Sequence, residues 1–115
     1  NFPELSIENI GNSFLEPSDG NEPQINISAD IMEKLIELYN NSETHVVKDS
    51  NSMERIWELY SECKQFKGLY FMKSIYTDGI DYYIYLKYEY NREQDVVTDF
   101  YANCTSEINS ILETN

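Results

Sequence analysis

Apolar side chains recur at helical spacing in three stretches of the chain. Residues three and four positions apart lie on one face of an α-helix, so this spacing predicts helices over residues 29–40, 53–64 and 93–113. Ser28 is a good N-cap for the first of them. The apolar positions are Ile31, Met32, Leu35, Ile36 and Tyr39 in the first stretch, Met53, Ile56, Trp57, Tyr60 and Cys63 in the second, and Val97, Phe100, Tyr101, Cys104, Ile108, Ile111 and Leu112 in the third.

Residues 68–90 follow a different pattern, which is typical of a long β-hairpin. Two Tyr-rich stretches flank Asp78-Gly79, a pair that fits a two-residue type I′ turn. Pairing Thr77 with Ile80 across this turn divides the side chains between two faces. One face is apolar except for Lys73, and the other carries Tyr70, Tyr76, Tyr83 and Tyr85.

The sequence predicts an α+β fold in which an antiparallel sheet, centred on this hairpin, packs against about three helices. A short β-branched stretch, residues 44–48, predicts one further brief strand. Three prolines interrupt residues 1–24, which we expect to be irregular and to act partly as a tether. The remaining residues, 25–115, have the length of a single α+β domain.

Charge limits the classes of partner. The 21 acidic and 8 basic side chains give a formal net charge of -13, which repels phosphate backbones and anionic lipid surfaces. Nucleic acid is therefore not expected as a ligand. A basic protein would be attracted, and Glu54, Glu58 and Glu62 place like charges along one edge of the second predicted helix. This stripe is a candidate partner-binding site, and a solvated acidic face is the alternative interpretation.

The four tyrosines of the hairpin are candidates for ligand binding. Tyr rings offer a flat apolar surface and a hydroxyl group at little entropic cost, which suits a protein or glycan ligand. Alternatively, the N-terminal segment or a helix covers this face. These candidate residues are Tyr70, Tyr76, Tyr83 and Tyr85.

Cys63 and Cys104 each lie on the apolar stripe of a predicted helix. They could meet in the core as a disulfide, or remain free as small buried hydrophobic residues. A metal site needs more ligands than these two. His45 is the only histidine, and the chain has no phosphate-binding loop, HExxH pattern or nucleophile elbow. We therefore expect no catalytic activity, no metal and no cofactor.

The Asn, Ile, Tyr and Glu bias, the proline-interrupted start through Glu22-Pro23 and the α+β body without catalytic motifs resemble small extracytoplasmic lipoproteins of low-GC Gram-positive bacteria. The resemblance implies that a leader and a lipidated cysteine preceded Asn1. Any contact with the membrane would then depend on that removed lipid anchor. It also implies that Cys63 and Cys104 could be oxidised.

Two functional hypotheses follow from the sequence. The first is a non-enzymatic extracytoplasmic binding or accessory domain, at the cell surface or secreted. The second is an intracellular acidic protein, of the immunity or inhibitor type, that caps a basic partner.

Overall fold

The computed structural model describes residues 6–41, 45–65 and 68–114. Within these ranges seven strands form one antiparallel sheet in the order β2-β1-β4-β5-β6-β7-β3, accompanied by two α-helices. The strands are β1 (Ile10–Pro17), β2 (Ile25–Ile27), β3 (His45–Val47), β4 (Glu54–Cys63), β5 (Tyr70–Thr77), β6 (Tyr82–Asn91) and β7 (Val96–Asn103). The helices are α1 (Ala29–Asn40) and α2 (Thr105–Thr114).

Both helices pack against the same face of the sheet, which we call the inner face. A row of buried side chains crosses this face from β1 to β7, and α1 and α2 lie against it in a single core cluster. The row consists of Leu15, Leu59, Ile75, Ile84 and Ala102. The helices contribute Ile31, Met32, Leu35, Ile36, Ile108 and Ile111. In the described part of the chain, neither helix is long and apolar enough to cross a membrane.

Two predicted elements are confirmed. The first helix spans Ala29–Asn40, and Ser28 caps it because its Oγ accepts the Ile31 N–H at 3.4 Å. The brief strand is β3, which pairs with β7 at the sheet edge. In the helix the apolar pattern and the buried face agree, because Ile31, Met32, Leu35 and Ile36 are all buried.

The second predicted helix, residues 53–64, is wrong: the segment forms strand β4, in the middle of the sheet. Leu59 faces inward and the next residue, Tyr60, faces outward, so both faces of this strand carry large apolar groups. A β-bulge between Arg55 and Trp57 also breaks the alternation. These two features give a strand an apolar spacing that imitates a helix.

The third predicted helix, residues 93–113, is also wrong over its first half. That half is strand β7, and only the second half is helix α2. Cys104 separates the strand from the helix. The Oδ1 of Asn103, the last residue of β7, accepts the N–H of Thr105, the first residue of α2, at 3.0 Å. The α+β composition is retained, but the sheet packs against two helices and not three.

The N-terminal segment also departs from expectation, because residues 10–17 are not irregular. They form β1, which pairs with both β2 and β4. Pro17 lies two residues beyond the last pair between β1 and β2, so its missing N–H removes no hydrogen bond from that ladder. Ile10 and Leu15 are part of the core, so this stretch belongs to the folded body.

The hairpin turn is longer than the sequence suggested. Thr77 pairs with Tyr82 and not with Ile80, so the loop contains residues 78–81. The Asp78 carboxylate accepts the backbone N–H groups of Ile80 and Asp81 at 2.9 and 2.8 Å, which stabilises the wider turn. The register differs by two residues, and side chains on a strand alternate with a period of two. Near the turn the predicted division into two faces therefore survives.

Beyond this turn the sheet forks. Strands β5 and β6 pair only from Ile75 to Thr77 and from Tyr82 to Ile84. On the inner face Lys73 lies in the fork, where its Nζ donates to the Leu86 carbonyl oxygen at 3.2 Å and lies 5.0 Å from the Tyr39 ring. Past the fork β6 and β7 continue as a two-stranded ribbon, residues 87–100, which we call the arm.

The central row of the inner face should dominate stability. Ile75 is 0% exposed in this row, whereas Ile80 in the hairpin turn is 84% exposed. We expect Ile75→Ala to lower the free energy of unfolding by about 2 to 5 kcal/mol, because it leaves a cavity in the core. Ile80→Ala is the matched control and should change it by less than about 0.5 kcal/mol. Urea unfolding measures both, and equal losses would contradict this position of the core.

Candidate binding surface on the outer face

Three neighbouring strands bring aromatic rings together on the face opposite the helices, which we call the outer face. The Phe14 ring stacks on Tyr60 with ring centroids 5.2 Å apart and planes 20° apart. Tyr70 meets the edge of Tyr60 at 6.1 Å and 88°. Tyr70 is 41% exposed and its neighbour Met72 is 51% exposed, so the rings form an accessible apolar surface. Mutual packing also holds the rings in place before any ligand arrives.

Carboxylates surround these rings. Glu16 on β1 lies directly opposite Glu58 on β4, and Glu62 on β4 lies opposite Tyr70. Like charges directly opposite each other destabilise a sheet. Glu58 is partly compensated, because its Oε1 accepts bonds from Arg55 Nη1 at 3.1 Å and from Ser74 Oγ at 2.6 Å. We call the combined surface the acidic aromatic patch; it consists of Phe14, Glu16, Glu58, Tyr60, Glu62, Tyr70 and Met72.

A bulge in β1 shapes one end of the patch. The register shifts between Ile10 and Ser13, and the Asn12 N–H donates to Glu62 Oε2 at 3.2 Å. Gly11 makes room for this contact, because a Cβ there would lie 2.8 Å from the same oxygen. A pocket of about 710 Å³ borders the bulge and is lined by Asn12, Phe14, Asn26, Ile27, Met32 and Glu62 among others. The patch therefore continues into a concave, partly polar site.

Three of the four candidate tyrosines lie elsewhere on the outer face, in a packed cluster with Tyr101. Tyr76 and Tyr85 each meet the Tyr101 ring edge-on at 5.4 Å, and Tyr83 and Tyr101 are buried. Burial raises the pKa of Tyr101 to about 12. Burial and then the hydrogen bond from its hydroxyl group to Asp99 raise the pKa of Tyr85. We call these four residues the tyrosine cluster; its packing is structural.

The connection from β3 to β4 is attached to this cluster through Asp78. Tyr83 donates its hydroxyl proton to Asp78 Oδ2 at 3.1 Å, and Lys48 Nζ lies 3.5 Å from the same oxygen. Lys48 Nζ also lies 4.9 Å from the centre of the Tyr83 ring. Of the four candidate tyrosines, only Tyr70 therefore belongs to the accessible patch.

The candidate glutamate stripe is also divided, because β4 is a strand and not the predicted helix. Glu58 and Glu62 both face outward on either side of Tyr60, since residues two apart share a face of a sheet. Glu54 precedes the β4 bulge and pairs with Thr77, away from the patch. Two of the three glutamates therefore share the outer face, about 13 Å apart along the strand with Tyr60 between them, although the helix that was expected to align them is absent.

Sequence reasoning missed Phe14, Glu16 and Tyr60 as surface residues. A signal for Tyr60 was present, because Glu58, Tyr60 and Glu62 alternate with Leu59, Ser61 and Cys63 at the period of a strand. Phe14 and Glu16 lie within residues 1–24, which the three prolines led us to predict as irregular.

Cys63 and Cys104 are free and lie at opposite ends of the sheet. Cys104 lies level with the start of β4. Its N–H donates to the carbonyl oxygen of Tyr82, Tyr82 pairs with Thr77, and Thr77 pairs with Glu54, the first residue of β4. Cys63 ends the same ten-residue strand, roughly 30 Å away at about 3.3 Å per residue. A disulfide needs Cα atoms within about 7 Å, so the candidate disulfide does not fit this fold.

Comparisons with protein-family models, with curated proteins and with solved structures find no match for this chain. Within the described ranges, no group of three or more His, Cys, Asp or Glu side chains is placed to hold a metal ion. The His45 side chain lies outside the described part of the structure.

The turn at Asp78 should make stability depend on pH. The backbone N–H groups of Asp81 and Ile80 hold the pKa of the Asp78 carboxyl well below its usual range. A carboxyl group whose pKa is lower in the native state than in the unfolded state stabilises the fold at pH values above its unfolded pKa, which is near 4. This stabilisation is lost as the pH falls from there toward the native pKa. Asp78→Asn should therefore be less stable than the wild type at pH 7, with a difference that shrinks below about pH 4. Urea unfolding across this range measures it, and a difference independent of pH would contradict the assignment.

The thiols should react as two separate groups. Burial raises the pKa of the Cys104 thiol, which favours the unreactive protonated form, whereas Cys63 is partly exposed. We expect Ellman's reagent to label Cys63 in the native protein, and to label both residues after denaturation without reductant. A disulfide would instead leave both unlabelled in denaturant until a reductant is added.

Proposed function

We propose that this protein is a non-catalytic binding domain that docks a basic polypeptide segment on the acidic aromatic patch. The observation that carries the proposal is the grouping of three carboxylates around three rings, of which Tyr60 packs on both Phe14 and Tyr70, on the face that the helices leave open. The surface combines charge with apolar area, as interfaces that use a few anchoring residues commonly do.

The chemistry of the patch suits arginine and lysine side chains. A guanidinium group can form paired hydrogen bonds with a carboxylate and can also stack on an aromatic face. The opposed pair Glu16 and Glu58 supports the same partner, because Arg55 compensates Glu58 only in part and a second cation beside Glu16 would relieve the remaining repulsion. The net charge of -13 would also accelerate encounter with a basic partner.

A glycan is the less suitable ligand of the two that the sequence suggested. Sugar binding would use open tyrosine rings, but Tyr76, Tyr83 and Tyr85 are packed around Tyr101. The hydroxyl groups of Tyr83 and Tyr85 already donate to Asp78 and Asp99. What supports a polypeptide partner is therefore the remaining combination of carboxylates and partly open rings.

The location of the protein stays a prediction. Extracytoplasmic placement and a removed lipid anchor rest on the compositional resemblance, and the separation of Cys63 and Cys104 removes the disulfide as a support for them. The same patch would serve an accessory domain outside the cell or an immunity-type inhibitor inside it.

Binding of a fluorescein-labelled oligoarginine peptide, followed by fluorescence anisotropy, tests the proposal. We expect the double variant Glu58→Gln with Glu62→Gln to weaken binding about tenfold, which corresponds to about 1.4 kcal/mol. Tyr70→Ala should weaken it as well, because it removes a ring that faces the cation. Wild-type binding should weaken as salt is added.

The matched control removes the same charge elsewhere. Glu33 and Glu37 are exposed on α1, on the other side of the sheet. If Glu33→Gln with Glu37→Gln weakens binding as much as the patch variant does, attraction depends on net charge alone and the proposed site is wrong. Amide chemical shift changes confined to β1, β4 and β5 would support the site directly.

A further inference from the structure

Among the residues that the structure describes, none pairs with one edge of the arm. The ladder between β5 and β6 ends at Ile75 and Ile84, so in the described part of the chain residues 87–91 pair only with β7. On the far side of the arm, β3 pairs with β7 only from Phe100 to Ala102. An unpaired edge displays backbone N–H and C=O groups that can add another strand.

The arm also carries an exposed apolar surface. Tyr88 is 65% exposed, Tyr90 is 52% exposed and Val97 is 56% exposed. Tyr90 pairs directly with Val97, and Tyr88 faces the same side because it lies two residues from Tyr90 on the same strand. The Tyr90 hydroxyl group donates to Asp95 at 2.7 Å, which holds the end of the arm in shape. The arm thus combines an open edge with an exposed apolar face.

The sequence of this edge is complementary to itself. Lys87 and Glu89 lie side by side on one side of β6, with Nζ and Oε2 3.5 Å apart, and both are exposed. If two copies of the strand run antiparallel and are centred on Tyr88, each Lys87 lies opposite Glu89 of the second copy. A two-fold interface forms every such contact twice. Centring the pair on Lys87 or on Glu89 would instead place like charges opposite each other.

We propose that two copies of this chain associate through their β6 edges, antiparallel and centred on Tyr88. The occupant of the open edge is then a second copy of the same arm, and the two sheets become continuous across the two-fold axis. Two reciprocal pairs between Lys87 and Glu89 fix the register, because opposite charges directly across a ladder attract. Backbone hydrogen bonds supply the attraction, and the Tyr88 and Tyr90 rings cover the joint.

Charge reversal tests this register. Glu89→Lys would place a lysine directly opposite a lysine at both symmetry-related positions of the joint. We expect it to weaken self-association at least about tenfold. Sedimentation velocity over roughly 0.01 to 1 mM protein measures this change. The change also raises the net charge from -13 to -11 (-13 + 2), which reduces repulsion between whole molecules. A loss of association would therefore run against the general charge effect. Glu93→Lys, in the turn of the arm, makes the same charge change and should not weaken association.

Mixing two variants gives the decisive measurement. Lys87→Glu alone places a glutamate opposite a glutamate, so it should weaken self-association as Glu89→Lys does, and we compare both at a protein concentration at which each is monomeric. A mixture of the Glu89→Lys and Lys87→Glu proteins restores opposite charges at every position, so the mixture should dimerise although neither protein does so alone. Thermal unfolding by circular dichroism confirms that each protein is folded.

Three results would overturn the proposal. The first is a wild-type protein that stays monomeric over the whole concentration range. The second is an effect of Glu93→Lys as large as that of Glu89→Lys, and the third is a mixture of folded variants that remains monomeric. If Lys87→Glu does not fold because Lys87 no longer contacts the Phe100 ring, the comparison of Glu89→Lys with Glu93→Lys still decides the register.

Discussion

Burial of one row of side chains across the sheet is the interaction on which the rest of the structure depends. Leu15 pairs with Leu59, Ile75 pairs with Ile84, and Ile84 pairs with Ala102. Leu59 and Ile75 are diagonal neighbours on β4 and β5, and both helices close over the whole row. Since strand side chains alternate, fixing this row inward fixes their sequence neighbours outward. The outer surface is therefore a consequence of the core: Tyr60 and Glu58 face outward because Leu59 must face inward.

Local irregularities decide which outward residues meet. The bulge in β4 separates Glu54 from Glu58, and the bulge in β1 allows Asn12 to bind Glu62. The fork between β5 and β6 frees the arm, and Lys73 stabilises it by donating to a carbonyl group that the ladder no longer uses. The two bulges and the fork each involve only a few residues. Together they divide the outer face into the acidic aromatic patch, the tyrosine cluster and the arm.

Much of this could be predicted where one face of an element is apolar and the other polar. Helix α1 meets that condition, with buried Leu35 against exposed Lys34, and so does the hairpin near its turn, where a register error of two residues left Tyr76 and Tyr83 on the expected side. Strands β4 and β7 were mistaken for helix, because Tyr60 and Tyr101 add large apolar groups to their outer faces and so weaken the alternation that marks a strand. Bulges also interrupt the alternation of inward and outward side chains, and their positions depend on the pairing with the neighbouring strand.

The same limits explain why the candidate site was only half foreseen. Tyr70, Glu58 and Glu62 were singled out for separate reasons, one as a hairpin ring and two as part of a helical stripe. Their proximity depends on β4 lying between β1 and β5, a long-range pairing that no local pattern encodes. If two copies join at the β6 edges, a continuous sheet places both patches on the same side. A partner with two basic segments would then bind more tightly than either patch could alone, because its second contact becomes intramolecular.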